Sequence, residues 1–218
     1  LSACGELCQL HLDGVVPCLS GEQALAVWQH LEQLSIWPAC SCAEAGFWHV
    51  LPQLASLTKL AVSYSSNEHP EPSQLLSNAL PACSRLADLM LDGYNRPALP
   101  QLPTTLTSLC LTSAGNLREL PSAPMLHSLR LRHCQVLGAG GAALMPGLTF
   151  LQLMDCGLEQ LPGPLAALPA VVVLDLCANE QLSELPPQLA CLPCLRELQL
   201  GCCNLCQVPP VRGGLSYN

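Results

Sequence analysis

Two Cys-x-x-Cys pairs stand near the end of the chain, Cys191 with Cys194 and Cys203 with Cys206. Four thiolates spaced in this way can hold tetrahedral zinc. The segment between the pairs carries its own apolar alternation, Leu195, Leu198 and Leu200, which claims it for regular structure. The four are therefore read as structural thiols, and no metal is expected. Cys40-x-Cys42 and the neighbours Cys202 and Cys203 are weaker versions of the same signal. Gly138-Ala-Gly140-Gly141 is glycine-rich, but no Gly-Lys-Ser/Thr follows, and Ala143 stands where a dinucleotide fingerprint needs its third glycine. A turn is expected there. No Gly-x-Ser-x-Gly elbow occurs. His133 and Asp155 are the acid–base pair that regular structure could bring together, with no serine or cysteine placed beside them as nucleophile. Glu159, Glu180 and Glu184 fall on connecting arms, where a solvated face is the default. No catalytic residue, cofactor or enzymatic activity is expected.

The elements that carry these residues follow from a repeat. Leu148, Leu151, Leu153, Cys156, Leu158 and Leu161-Pro162 form one copy. Val171, Leu174, Leu176, Asn179, Leu182 and Leu185-Pro186 form the next, and Leu195, Leu198, Leu200, Cys203, Leu205 and Val208-Pro209 the third. Counting from the first residue of each copy, positions one, four and six are apolar and position nine is Cys or Asn. Extended backwards, copies start at Leu7, Leu31, Leu57, Leu86, Leu106, Leu126, Leu148, Val171 and Leu195. The spacing runs from 20 residues (Leu86 to Leu106) to 29 (Leu57 to Leu86). Such a period marks a solenoid.

The skeleton resembles the leucine-rich repeat family over nearly the whole chain. The short Leu-Pro units are similar to bacterial-effector repeats, and the later ones to plant or algal resistance-type and Ras-group repeats. The resemblance implies an α/β repeat solenoid, a curved horseshoe with a parallel sheet on its concave face. Short helices, polyproline or extended arms would return on the convex face. Residues 1–218 are read as a single leucine-rich repeat domain of about nine repeats. The chain opens without Met and neither end looks like a cap, so a fragment of a longer protein is expected.

Side chains alternate across a strand, so positions four and six face the core, and three, five and seven face outward. Strands are expected at positions three to seven. Helices are expected from Ser20 to His30 and from Pro72 to Leu80, the second capped by Ser73 and ended near Pro81. Val211 to Asn218 leaves the pattern and reads as a frayed end. Gln152 and Gln199, outward by this alternation, are expected to tolerate substitution.

Charge narrows the function. Eight basic residues face sixteen acidic ones, for a net charge of −8. That balance argues against nucleic acid and against an anionic membrane surface as partners. The longest apolar run, Ala166 to Leu176, is broken by Pro169 and Asp175, so no membrane span is expected. Fifteen cysteines is an odd count, and Cys134, Cys156 and Cys203 fall on the inward position nine. Buried free thiols imply a reducing, cytoplasmic compartment. The family implies a non-catalytic protein-interaction module that binds a partner on its concave sheet. Two other readings stand beside it. One is a cytoskeleton- or axoneme-associated scaffold. The other is the recognition part of a resistance-type receptor or ubiquitin-ligase effector whose catalytic domain lies elsewhere. The expected binding surface is Arg130, Arg132 and His133, then Phe150, Gln152, Met154 and Asp155, then Asp175, with Trp37 and Tyr64 as a second region. Arg, aromatic and Met side chains are those of interaction hot spots, and an acidic segment of a protein partner would suit them.

Overall fold

The computed structural model describes residues 7–13, 28–37, 45–64, 71–118, 123–134, 145–161, 163, 168–187, 189, 192–206 and 216–217. Strands form where the alternation places them. They are β1 (Gln9–Asp13), β2 (Gln33–Trp37), β3 (Lys59–Ser63), β4 (Asp88–Asp92), β5 (Ser108–Thr112), β6 (Ser128–Arg132), β7 (Phe150–Met154), β8 (Val173–Asp175) and β9 (Glu197–Gln199). A tenth, β10 (Ser216–Tyr217), lies in the tail that was read as frayed; it pairs in parallel with β9 through Tyr217 and Leu198. The backbone of those two residues supplies a ladder, which an apolar pattern cannot announce.

The chain divides into two compact units. In the first, β1 to β4 pair in order and in parallel, with Leu10, Leu34, Leu60 and Leu89 in one row. In the second, β5 to β9 do the same through Leu109, Leu129, Leu151, Leu174 and Leu198. Those five leucines are buried, as are Leu111, Leu131, Leu153 and Leu176 two residues on. Leu10 and Leu12 are only half-buried, because β1 is the edge of its sheet.

Helices are few. Helix α1 (Ala45–Val50) was not expected; it runs into a 3-10 turn at Leu51–Gln53 and buries Trp48, Val50 and Leu51. Helix α2 (Glu71–Ala79) continues into a 3-10 turn at Leu80–Ala82. It begins before Pro72, so Ser73 lies within it rather than capping it. Proline is tolerated there because first-turn N–H groups have no partner inside the helix. Of the helix expected at Ser20–His30, only Trp28 to His30 are described, and Trp28 is buried.

Within each unit, described turns share a hydrogen-bond scheme. The position-two carbonyl accepts from two N–H groups of the next turn. For example, His127 O takes Thr149 N at 2.9 Å and Phe150 N at 3.0 Å. The N–H of position eight then donates to the position-seven carbonyl of the next turn, as His133 N does to Met154 O at 3.1 Å. Between these lies a side-chain ladder at position nine. Asn179 is fully buried; its Nδ2 donates to Leu153 O and Leu176 O, both at 2.7 Å. Its Oδ1 accepts from Cys156 N at 3.0 Å and Leu158 N at 3.2 Å. Thiols fill the same role elsewhere. Cys134 Sγ donates to Leu111 O at 3.5 Å, Cys156 Sγ to Leu131 O at 3.5 Å and Cys203 Sγ to Leu176 O at 3.2 Å. Cys203 is half-buried rather than enclosed.

Position eight pays for this turn in backbone geometry. Gly93, Ser113, His133, Asp155, Ala178 and Cys202 all occupy it, and all have φ between 50° and 70°. A side chain there is strained in the left-handed region unless it is Gly, or to a lesser degree Asn or Asp. A Cβ on Gly93 would also meet Tyr64 O at 2.7 Å.

Two expectations follow. Ala178→Gly should raise stability by up to ~1 kcal/mol, while Gly93→Ala should lower it by ~1–3 kcal/mol. Denaturant melts of both variants check the opposite signs. Burial pushes the Cys156 thiol up to about 12, and the Cys83 thiol up to about 11. The thiolate is the reactive form. At mildly alkaline pH, maleimide should therefore modify exposed Cys194 and Cys206 while Cys156 stays unlabelled until the chain is unfolded, read by mass spectrometry.

Candidate functional site

The outward residues of β6, β7 and β8 bring together two arginines, a phenylalanine, a glutamine and an aspartate in the second compact unit. The backbone register pairs Arg130 with Gln152 and Gln152 with Asp175, and Arg132 with Met154, as the repeat requires. The side chains cross diagonally instead. The Arg130 guanidinium lies over the Phe150 ring, 4.6 Å from its centroid, in cation–π geometry. Arg132 leans to β7, where its Nε donates to Gln152 Oε1 at 2.9 Å. Gln152 Nε2 in turn donates to Asp175 Oδ2 at 2.6 Å, and Asp175 Oδ1 accepts from Cys177 N at 3.0 Å.

Gln152 is thus a relay between a guanidinium and a carboxylate. It is 7% exposed and Asp175 is 5% exposed, so the expectation that Gln152 tolerates substitution is corrected. Period-two alternation assigned it to the outer face but could not show that Arg132 covers it. Gln199 stays half-buried, its Nε2 donating to Glu197 Oε1 at 2.5 Å. Past the strand ends, His133 Nδ1 meets Asp155 Oδ2 at 2.8 Å, with both side chains more than half exposed. Neither arginine forms a direct ion pair among the described residues. Asp155 is engaged by His133 and Asp175 by Gln152.

The row at position eight also corrects the reading that nothing stands beside His133. Ser113 occupies that position in the turn of β5, and Ser113 N donates to Arg132 O at 2.9 Å. Counting eight residues from Leu106 was enough to find it. The Ser113 hydroxyl makes no hydrogen bond to the imidazole among the described residues. In the first compact unit, half-buried Trp37 ends β2, and Tyr64 follows β3 with its ring edge-on to Tyr94 at 5.9 Å. Ser63 Oγ, one residue before Tyr64, donates to Asp92 Oδ2 at 2.9 Å.

Glu159 and Glu184 line an open hollow of about 520 Å³ with Gln160, Gln181 and Ser183. No group of three or more metal-ligating side chains occurs among the described residues. Cys191, Cys40, Cys42 and the Gly138–Gly141 stretch lie outside them. No helix among the described residues is long and apolar enough to cross a membrane.

No protein-family model matches the sequence, and no curated protein does. Solved structures do match, and the chain has the leucine-rich repeat fold. TLR13 in the TLR13–ssRNA13 complex is 22% identical with a TM-score of 0.70, covering 92% of this chain and 30% of that one. A leucine-rich repeat protein of Leptospira interrogans is 19% identical with a TM-score of 0.69, covering 95% of this chain and 52% of that one. The leucine-rich repeat domain of the type III effector XopL is 20% identical with a TM-score of 0.55, covering 96% of this chain and 75% of that one. This chain therefore spans under a third of the first and about half of the second.

Removing the relay should cost stability. Gln152→Leu leaves Asp175 Oδ2 buried without its donor, a loss of ~1–3 kcal/mol. A denaturant melt of Gln152→Leu that overlays the wild-type curve would show that the Arg132–Gln152–Asp175 chain contributes nothing.

Proposed function

We propose that the chain is a non-catalytic protein-interaction module that binds an acidic segment of a partner on the open face of its second unit. Arg130 and Arg132 are the anchors and Phe150 is the apolar contact. The observation that carries this reading is the arrangement of the two guanidiniums on an acidic chain. One is stacked on Phe150, the other is held by a neutral amide, and neither is neutralised by a direct carboxylate contact among the described residues. Stacking and the Gln152 relay pre-set both side chains, which lowers the ordering cost of binding. Met154, half-buried beside them, extends the apolar part. Trp37 and Tyr64 would form a second contact region on the first unit.

The basic residues of this face are confined to one turn, which supports a protein partner over a polyanion such as the RNA of the TLR13 complex. The likeness to the leucine-rich repeat domain of a type III effector supports the reading as the recognition part of a longer protein. The buried free thiols Cys83, Cys134 and Cys156 support a reducing, cytoplasmic setting.

The test is a double charge reversal, Arg130→Glu with Arg132→Glu. A partner captured by the wild-type chain is identified, purified and titrated against both forms. Its affinity should fall by about tenfold or more, ~1.4 kcal/mol at least. Glu159→Lys with Glu184→Lys, at the hollow, should leave it unchanged. A reversed variant that keeps its circular dichroism and its full affinity would end the sheet-face reading.

A further inference from the structure

We infer that the acidic segment carries a phosphorylated serine or threonine, seated where β5 and β6 end, on Thr112, Ser113, Arg132 and His133. This rests on the sheet-face reading above and names the group that face recognises.

The four side chains come from two consecutive positions on two paired strands. Thr112 is the register partner of Arg132, and Ser113 and His133 follow them. Ser113 and His133 share the left-handed backbone, with φ of 56° and 52°, so both leave their strand ends in the same sense. All of these side chains except Thr112 are exposed, and Thr112 is half-buried.

Their remaining donors are accounted for one by one. Arg132 spends its Nε on Gln152, toward β7, and its terminal amino groups have no partner among the described residues. His133 spends Nδ1 on Asp155, also toward β7, which leaves Nε2 on the opposite side of the ring. An imidazolium donates from both nitrogens. The Thr112 and Ser113 hydroxyls have no hydrogen-bond partner among the described residues. A guanidinium and an imidazole are thus braced from the β7 side, beside two unengaged hydroxyls on the β5 side.

This donor set favours a phosphate monoester over a carboxylate. A phosphorylated side chain brings three acceptor oxygens and a charge of about −1.5 to −2. A guanidinium, two hydroxyls and, when His133 is protonated, its Nε2–H can engage all three oxygens, whereas a carboxylate has two. The width of the site favours one phosphate over a string of them. On the β7 and β8 side it is bounded by Asp155 and Asp175, and on the β5 side the outward residues Ser108, Cys110, Thr112 and Ser113 carry no charge. A second phosphate along the strand order would meet a carboxylate or no cation. The Arg130–Phe150 stack, at position five of β6 and position three of β7, gives the peptide residue beside the phosphate a flat apolar surface.

The experiment is fluorescence anisotropy with short degenerate acidic peptide pools that differ only at a fixed central residue: Ser, Glu or phosphoserine. A short single-stranded RNA of matched charge is the fourth probe. The phosphoserine pool should bind about tenfold tighter than the Glu pool. Ser113→Ala with Thr112→Val should remove most of that margin and leave Glu-pool binding in place. Those two substitutions lie at solvent-facing side chains and keep the β-branch in β5, so they test the site without touching the Arg132–Gln152 relay. Equal binding of the Glu and phosphoserine pools would overturn the phosphate inference while the acidic-segment reading stood. No binding by any peptide pool would overturn both. RNA binding as tight as that of the phosphoserine pool would overturn the inference in favour of a phosphodiester ligand.

Discussion

A strand that leaves its sheet after five residues strands a carbonyl over the core, and in the second unit each turn from β6 to β9 supplies the missing donor from the next copy of position nine. The position-six carbonyls of Leu111, Leu131, Leu153 and Leu176 accept from Cys134, Cys156, Asn179 and Cys203 in turn. An unsatisfied carbonyl at that depth would cost about 1–3 kcal/mol. Asn179 also receives two backbone N–H groups from the preceding turn. The Cys156 and Cys134 sulfurs also donate to the position-seven carbonyls of their own turns, Met154 O at 3.4 Å and Arg132 O at 3.1 Å. Thiols are weak donors and acceptors, so three of these four rungs are weaker than the amide rung. What they provide is small volume, which lets leucine layers close over them.

The same requirement determines where the functional surface can be. To bring position nine back beneath the strand, the chain reverses its backbone sense at position eight. From β5 to β9 that reversal turns the position-eight side chain outward at the C-terminal edge of the strand, in line with the copies on either side. Ser113, His133 and Asp155 are neighbours for this reason. The His133–Asp155 pair is therefore a by-product of how the core is closed, and its exposure means it contributes little to stability.

The fold was legible because every layer repeats one rule. Positions four and six never carry a charge, and a one-residue slip would have placed charged residues in the core. That fixed the nine strand registers, down to the pairing of Arg130 with Gln152. Return arms were less legible. They vary in length, and α1 buries Trp48 from a segment with no clear helical period. Side-chain direction was not legible at all. A repeat gives lateral neighbours, but Arg132 passes its own neighbour, Met154, and takes Gln152 on the diagonal. Long side chains choose among several partners within reach, and that choice depends on what desolvates Asp175, which no spacing encodes. The same blindness hid the burial of Gln152.

These points bear on how recognition can arise on such a scaffold. In most turns the outward positions are energetically separate from the ladder, so they can change without touching the core. Among the described residues of the second unit, β7 and β8 break this separation. Asp175 is buried, and its two oxygens are held by Cys177 N and by Gln152. Gln152 then fixes Arg132, so a surface guanidinium inherits its position from a carboxylate that is nearly as buried as the leucines around it. Exposed arginines ordinarily lose rotamer freedom when they bind, which opposes affinity. Here part of that loss is met within the folded chain. The result is a cationic site one turn wide on a chain of net charge −8. Asp155 and Asp175 bound it on the β7 and β8 side, and the β5 side carries no charge.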